Sequence, residues 1–510
     1  MNSFAQRLMD GRTGRALEGL AYWLIRRDSL RGFYLRRHER KTIQEIARGL
    51  EPTEHPPGVR RDRKLLGLSM LYGFDRGLRR GLIADSVARR FLHNLVQWYI
   101  VENYGRELKD AFKAEHGAWP SWFIVVSPGK GCNLHCKGCY ANSSARNPER
   151  LDWEITDRII SEAKELWGVR FIVISGGEPM VYRSHGKGIL DIFEKHNDCF
   201  FLMYTNGTLF DKEAARRMAQ VGNVTPAISV EGMEEKTDAR RGKGVFQRVL
   251  HGMANLREAG VPFGLSMTAT QVNYQEIFSD EFLDFFFEEQ GALYGWIFQY
   301  MPIGRGFTLE LMPTPEQRVW MLRRMWEVVR QRKIFLIDFW NSGPSVFGCL
   351  AGGKESGYLY IDWNGKVMPC VFYPYSPVNI LEVYENGGNL QDAWSHPFFE
   401  AIRKWQCEYA SKQGNWLMPC AIRDHHEVCR QLLETYHPEP EDEMAAAALQ
   451  DEDYHRGLVE YDRRLAELTE SIWEKEYLEM EMPSPLVVWP GKATRGPFRR
   501  AASSLSGSSR

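Results

Sequence analysis

Cys132-Asn133-Leu134-His135-Cys136-Lys137-Gly138-Cys139 puts three thiols within eight residues, directly behind the apolar stretch 122–127. Thiolates are soft ligands and suit iron–sulfur chemistry. Three on one short loop can hold three irons of a [4Fe–4S] cluster and leave the fourth iron without a protein ligand. Substrate-level chemistry needs such an open position, as catalytic zinc sites do. Gly131 and Gly138 relax the backbone, letting a tight loop wrap the group. On spacing alone two other readings stand beside this one, a structural zinc knuckle and a loop of reduced thiols. Zinc usually takes four ligands in paired arrangements, and no neighbouring Cys or His completes one cleanly, since His135 lies between two ligands.

Outward from the loop, short apolar strands alternate with helical stretches, the pattern of βαβ units and a parallel sheet. Strands are predicted at 122–127, 171–175, 200–205, 225–230, 263–270 and 296–300, with helices such as 157–166 and 245–259 between them. Six units suit an α/β chain with a partial (β/α)6 barrel; a closed eight-fold barrel takes about 250 residues. The second strand ends in Gly176-Gly177-Glu178-Pro179, the third in Thr205-Asn206-Gly207. The fourth gives Ser229-Val230-Glu231-Gly232, followed by Arg240-Arg241-Gly242. Strand C-termini in β/α folds are where ligands bind, and glycines let backbone approach them closely. Taken singly, each segment also reads as an ordinary turn, a strand serine or a solvated arginine pair.

In this order the four motifs resemble the radical S-adenosylmethionine (radical SAM) superfamily, over roughly residues 122–306. The resemblance implies that Cys132, Cys136 and Cys139 ligate a [4Fe–4S] cluster whose open iron binds the amino and carboxylate groups of SAM. One electron then cleaves SAM to methionine and a 5′-deoxyadenosyl radical, which abstracts hydrogen from a substrate. The resemblance also places Gly177 and Glu178 at the SAM ammonium, Ser229 at the ribose, and Tyr140, Gly176 and Asn206 in the same site. Arg241, ahead of Arg240, would pair with the SAM carboxylate through its fork of donors. The family often carries an aromatic residue just before the third cysteine; here Gly138 stands there and Tyr140 follows. Ferredoxin or flavodoxin is the reductant the resemblance implies.

A second cysteine group follows. Cys349 precedes, and Cys370 ends, a segment whose Asn364-Gly365 pair between apolar runs is a strong hairpin signal. This resembles the SPASM/Twitch extension behind many radical SAM barrels, which binds auxiliary iron–sulfur clusters. The dense cysteine run of the full SPASM form is missing, so one auxiliary cluster is expected, held by Cys349, Cys370, Cys420 and either Cys429 or Cys407. The competing reading is that these are buried apolar cysteines, as is expected of Cys199. His425 and His426 beside Asp424 read as ligands or, more commonly, as exposed loop histidines.

The chain of 510 residues is too long for one core and divides into several units. We expect a basic helical region at 1–117, the barrel at 118–333, the auxiliary-cluster region at 334–435, an acidic helical segment at 436–490 and a disordered tail at 491–510. Residues 1–117 carry 23 Lys and Arg against 14 Asp and Glu. With Trp23, Phe33, Tyr34, Trp98 and Tyr99, these helices could lie on an anionic membrane or enclose an apolar substrate; the plain alternative is a cap packed on the barrel. Nine clustered cysteines and no export signal exclude a secreted disulfide scaffold and imply a cytoplasmic chain, with membrane-surface contact left open. Two substrate classes stay open, a peptide or protein side chain and a lipid or isoprenoid-like molecule. A non-catalytic Fe–S or zinc regulator is the rival class, and nucleic acid is the least favoured partner.

Overall fold

The computed structural model describes residues 19, 21–50, 54–98, 103–412 and 414–479. The expected tail at 491–510, and Tyr99, lie outside them. We number only the elements used below. Seven parallel strands follow one another: β1 (Phe123–Val126), β2 (Phe171–Ile174), β3 (Phe200–Thr205), β4 (Val224–Val230), β5 (Gly264–Ala269), β6 (Tyr294–Gln299) and β7 (Phe335–Asp338). All six strands read from the sequence are present, and β7 adds a seventh. The cysteine-bearing segment then contributes β8 (Tyr358–Ile361), β9 (Lys366–Met368) and β10 (Val378–Asn379).

The sheet order is β10-β9-β8-β1-β2-β3-β4-β5-β6-β7. The Asn364-Gly365 hairpin forms as expected, with Tyr360 opposite Met368. Its first strand also pairs in parallel with β1, Phe123 opposite Tyr358 and Val126 opposite Ile361. The auxiliary region therefore continues the barrel sheet.

These strands are apolar on both faces because helices cover one side and a cavity lies on the other. Ile124, Val126, Ile172 and Ile174 pack outward under the helices, whereas Val125, Val173, Leu202 and Ala227 point inward. One internal cavity of about 350 Å³ is lined by side chains from every strand β1 to β8, which is what a sheet wrapped into a barrel produces.

The N-terminal helices α1 (Asp28–Ala47), α2 (Pro57–Arg79), α3 (Asp85–Val96) and α4 (Arg106–His116) pack against this barrel. Much of their positive charge is spent internally. Arg31 pairs with Asp75, and Lys64 with Glu45. Arg80 donates to the carbonyl of Phe287, Arg76 to that of Arg332. No helix among the described residues is long and apolar enough to cross a membrane.

Candidate active site

The cysteine loop leaves β1 and is held at its base by pairing of Gly129 with Arg150. Its tip is fastened from two other strand ends. Arg305, beyond β6, donates to the carbonyls of Cys136 and Ser143, each at 2.6 Å. Arg240, beyond β4, donates to the carbonyls of Lys137 and Gly138 at 3.2 Å. Gly138 sits at φ +61°, and a Cβ there would stand 2.7 Å from the ring of Tyr300. Tyr300 thus occupies the space beside the third cysteine that an aromatic on the loop itself would need.

The glycine pair after β2 lies backbone-on-backbone against the cysteine loop. A Cβ on Gly177 would meet the Gly131 carbonyl at 2.2 Å. The Gly177 and Glu178 amides donate to the carbonyls of Gly129 and Gly131. Tyr140 shares a 2.6 Å hydrogen bond with Ser175 and accepts from the Gly176 amide at 3.2 Å. Asn206 donates to Asn133 at 2.8 Å and points the same amide at Cys132 Sγ, 3.8 Å away.

Cys132, Cys136, Cys139, Tyr140, Gly176, Gly177, Asn206, Ser229 and Arg241 all line the barrel cavity. Glu178 is the one expected SAM residue whose side chain does not. It is 1% exposed and accepts from Thr205 Oγ at 2.8 Å, the Asn206 amide at 2.7 Å and the Met180 amide at 3.1 Å. Burial raises its pKa against the pull of these donors. The carboxyl is consumed in tying the end of β2 to that of β3.

Glu231 was given no role by sequence reasoning, and the site depends on it. Its carboxylate, 1% exposed, accepts from both Arg240 and Arg241 and from the Thr268 amide. Burial opposes the charge of Arg241, but Glu231 and the cysteine sulfurs hold its pKa above the usual value. Both arginines line the cavity, but Arg240 is committed to the cysteine loop as well, whereas Arg241 donates to Glu231. A buried acid at a strand end just before paired arginines was the signal available.

Cys349, Cys370 and Cys420 converge on a second cavity of about 30 Å³ between the hairpin and α5 (Pro397–Ser411). Amides of Ala351 and Phe372 point at the sulfurs of Cys349 and Cys370, and Tyr358 stands 3.0 Å from Cys370 Sγ. Such donors suit thiolate sulfur in iron–sulfur sites. The structure does not bring the other two candidates there. Cys429 is buried elsewhere and donates to Tyr373 at 3.2 Å, while Cys407 is exposed on a separate groove. Asp424, His425 and His426 are not exposed loop residues: Asp424 pairs with Arg318 at 2.5 Å, and each histidine bonds a backbone carbonyl at 2.8 Å. Cys199 is core, as expected.

A donor set of three thiols on one open loop, facing glycine backbone, a serine and a buttressed arginine, fits a cluster that also holds a zwitterionic ligand. Burial keeps Cys132 protonated, its pKa pushed up to about 12, so metal must displace a proton to bind there. Fold and site define an enzyme that uses a [4Fe–4S] cluster with SAM, backed by an auxiliary iron–sulfur region. The chain belongs to the radical SAM superfamily: residues 126–280 match its family model, and residues 349–423 match that of the SPASM iron–sulfur cluster-binding domain. The SPASM match includes Cys349, Cys370, Cys407 and Cys420 and ends before Cys429. The mycofactocin maturase MftC of Mycolicibacterium smegmatis is 30% identical over 59% of this chain and 74% of its own length. The AdoMet-dependent heme synthase of Methanosarcina barkeri is 28% identical over 59% and 87%. Among solved structures, Streptococcus suis SuiB bound to the precursor peptide SuiA overlays 57% of this chain and 69% of its own, with TM-score 0.47 and 18% identity. Family membership sets aside the non-catalytic regulator.

Proposed function

We propose that the protein abstracts hydrogen from an apolar or aromatic side chain of a peptide substrate, within the barrel. When bound, cluster and SAM supply the one-electron cleavage and the hydrogen-abstracting radical. The chain's own residues bind and orient. Arg241 pairs with the SAM carboxylate, the Gly176–Gly177 backbone receives the ammonium, and Ser229 donates to the ribose. Asn206 steadies the Cys132 side of the loop. Cys349, Cys370 and Cys420 hold the auxiliary cluster.

One observation carries the substrate reading. The cavity runs from the cysteines to the strand starts, where Trp122, Phe123 and Phe171 form its walls, and Trp296 and Phe298 line it further along β6. Such walls exclude water and accept an apolar group. Two similar proteins are named for maturation, of mycofactocin and of the sporulation killing factor. Candidate peptides encoded beside the gene, deuterated at aromatic or aliphatic positions, should transfer deuterium into 5′-deoxyadenosine and change mass. Turnover of SAM with no deuterium transfer from any peptide would reject the reading.

A second reading has its own support. Trp23, Leu24, Phe33 and Tyr34 are exposed beside Arg26, Arg27, Arg36 and Arg37, on and just before α1. An aromatic and basic surface of this kind suits an anionic membrane and, with it, a lipid or isoprenoid-like substrate. Absence of binding to phosphatidylglycerol vesicles would remove it.

A further inference from the structure

A groove of about 1500 Å³ lies outside the barrel, walled by the N-terminal helices on one side and the auxiliary-cluster region on the other. Arg60 and Arg63 reach it from α2, Lys113 from α4, Lys354 from the loop before β8 and Arg403 from α5; the facing carboxylates are Glu54 and Glu355. Trp119, Trp122, Trp416 and Trp473 supply aromatic surface between these cations. Arg63, Lys113, Lys354 and Arg403 form no ion pair among the described residues. Arg63 instead donates to the Ser345 carbonyl and lies over the Phe347 ring, and Lys354 donates to the Phe347 carbonyl at 2.8 Å. Arg403 donates to the carbonyls of Gly352 and Trp394. Burial lowers the pKa of Arg63 and of Lys354 and brings Arg403 down to about 10, so all three cations lack full charge compensation. Trp122, Val346 and Ser356 line both this groove and the barrel cavity, so the two lie side by side across a wall of three side chains.

We propose that the groove binds an acidic segment of the substrate peptide and delivers the residues next to it into the barrel past Trp122, Val346 and Ser356. The inference rests on the peptide reading for the kind of chain and on the groove's charge for its acidity. Cations on four separate elements suit carboxylates spaced along an extended chain; a lipid would present one headgroup. Interleaved indole rings suit the apolar stems between those carboxylates.

The test is binding without turnover. Reconstituted holoprotein is titrated into fluorescein-labelled hexaglutamate at low ionic strength, with hexalysine and phosphatidylglycerol vesicles as parallel probes. Hexaglutamate should bind, hexalysine should not, and salt should weaken the complex, as exposed charge pairs are screened. Arg63→Gln with Lys113→Gln, both exposed side chains, should weaken binding about ten-fold while SAM cleavage without substrate stays unchanged. No hexaglutamate binding, or equal binding by the double variant, overturns the proposal. So does vesicle binding that the double variant loses while hexaglutamate never binds, which would assign the groove to a membrane. Hexaglutamate binding in a protein that modifies no peptide would instead count against the peptide function and leave the anion groove standing.

Discussion

Arg241 faces the cavity because Glu231 takes two of its donors and fixes the rest of the guanidinium. Glu231 acts through Arg241, so it is a positioning residue. Glu231→Gln should raise the KM for SAM about ten-fold, the equivalent of one charge-assisted hydrogen bond, with a smaller change in kcat. A fall in kcat at unchanged KM would contradict that role. Asp362, in the hairpin turn, gives a pH signature. It is fully buried, its Oδ1 caps the amides of Asn364 and Lys366, and burial pushes its pKa up to about 6. An aspartate in an unfolded chain titrates near about 3.9. The folded state therefore binds the proton more tightly. The associated stability is complete below about pH 4 and is lost as pH rises through about 6. Asp362→Asn should flatten the thermal-stability profile across that window and gain about 3 kcal/mol at pH 7. An unchanged profile would show that Asp362 does not titrate in this way.

Among elements, the cysteine loop draws on three strand ends at once, through Arg305, Arg240 and the glycine pair. Within the loop itself, Gly138 is a tight point of that packing. Gly138→Ala adds a Cβ at positive φ against Tyr300 and should cost about 1–2 kcal/mol, lowering both Tm and iron bound per chain. Unchanged iron content would mean that the loop adapts freely. The order of strands and the position of each motif were legible in the sequence, because a parallel sheet covered on both faces writes itself as apolar runs closed by turn residues. β7 was missed because Phe335–Asp338 is short and follows a long helix directly. The fate of Glu178 was not legible either. Whether a carboxyl faces a cavity or closes on neighbouring amides depends on which loop packs above it, and here that loop is β3's. Cys420 was legible as a companion of Cys349 and Cys370, but the choice between Cys407 and Cys429 was not: both lie on helices whose packing partners are distant in sequence.

Across the whole molecule, the barrel, the N-terminal helices and the auxiliary region form one packed body. Arg318, on the helix Pro315–Gln331, binds Asp424 through two donors and the Leu417 carbonyl through one of them, joining barrel to auxiliary region where both side chains are buried. Arg318→Met leaves a buried carboxylate with Arg423 as its remaining cation and should cost about 3–5 kcal/mol, read by urea unfolding. A loss under ~1 kcal/mol, the worth of an exposed pair, would show that water reaches the site. The pair is structural, so its loss should lower stability and occupancy of the auxiliary cluster together. The proposed reaction centre lies at the strand ends, with Cys132, Cys136 and Cys139 at its head. The most direct measurement is 5′-deoxyadenosine formed from SAM and dithionite by the anaerobically reconstituted protein. Iron-loaded wild type should form it, and Cys136→Ala, with an unchanged circular dichroism spectrum, should form none. No 5′-deoxyadenosine from iron-loaded wild type, or an equal yield from the variant, would contradict the assignment of that loop.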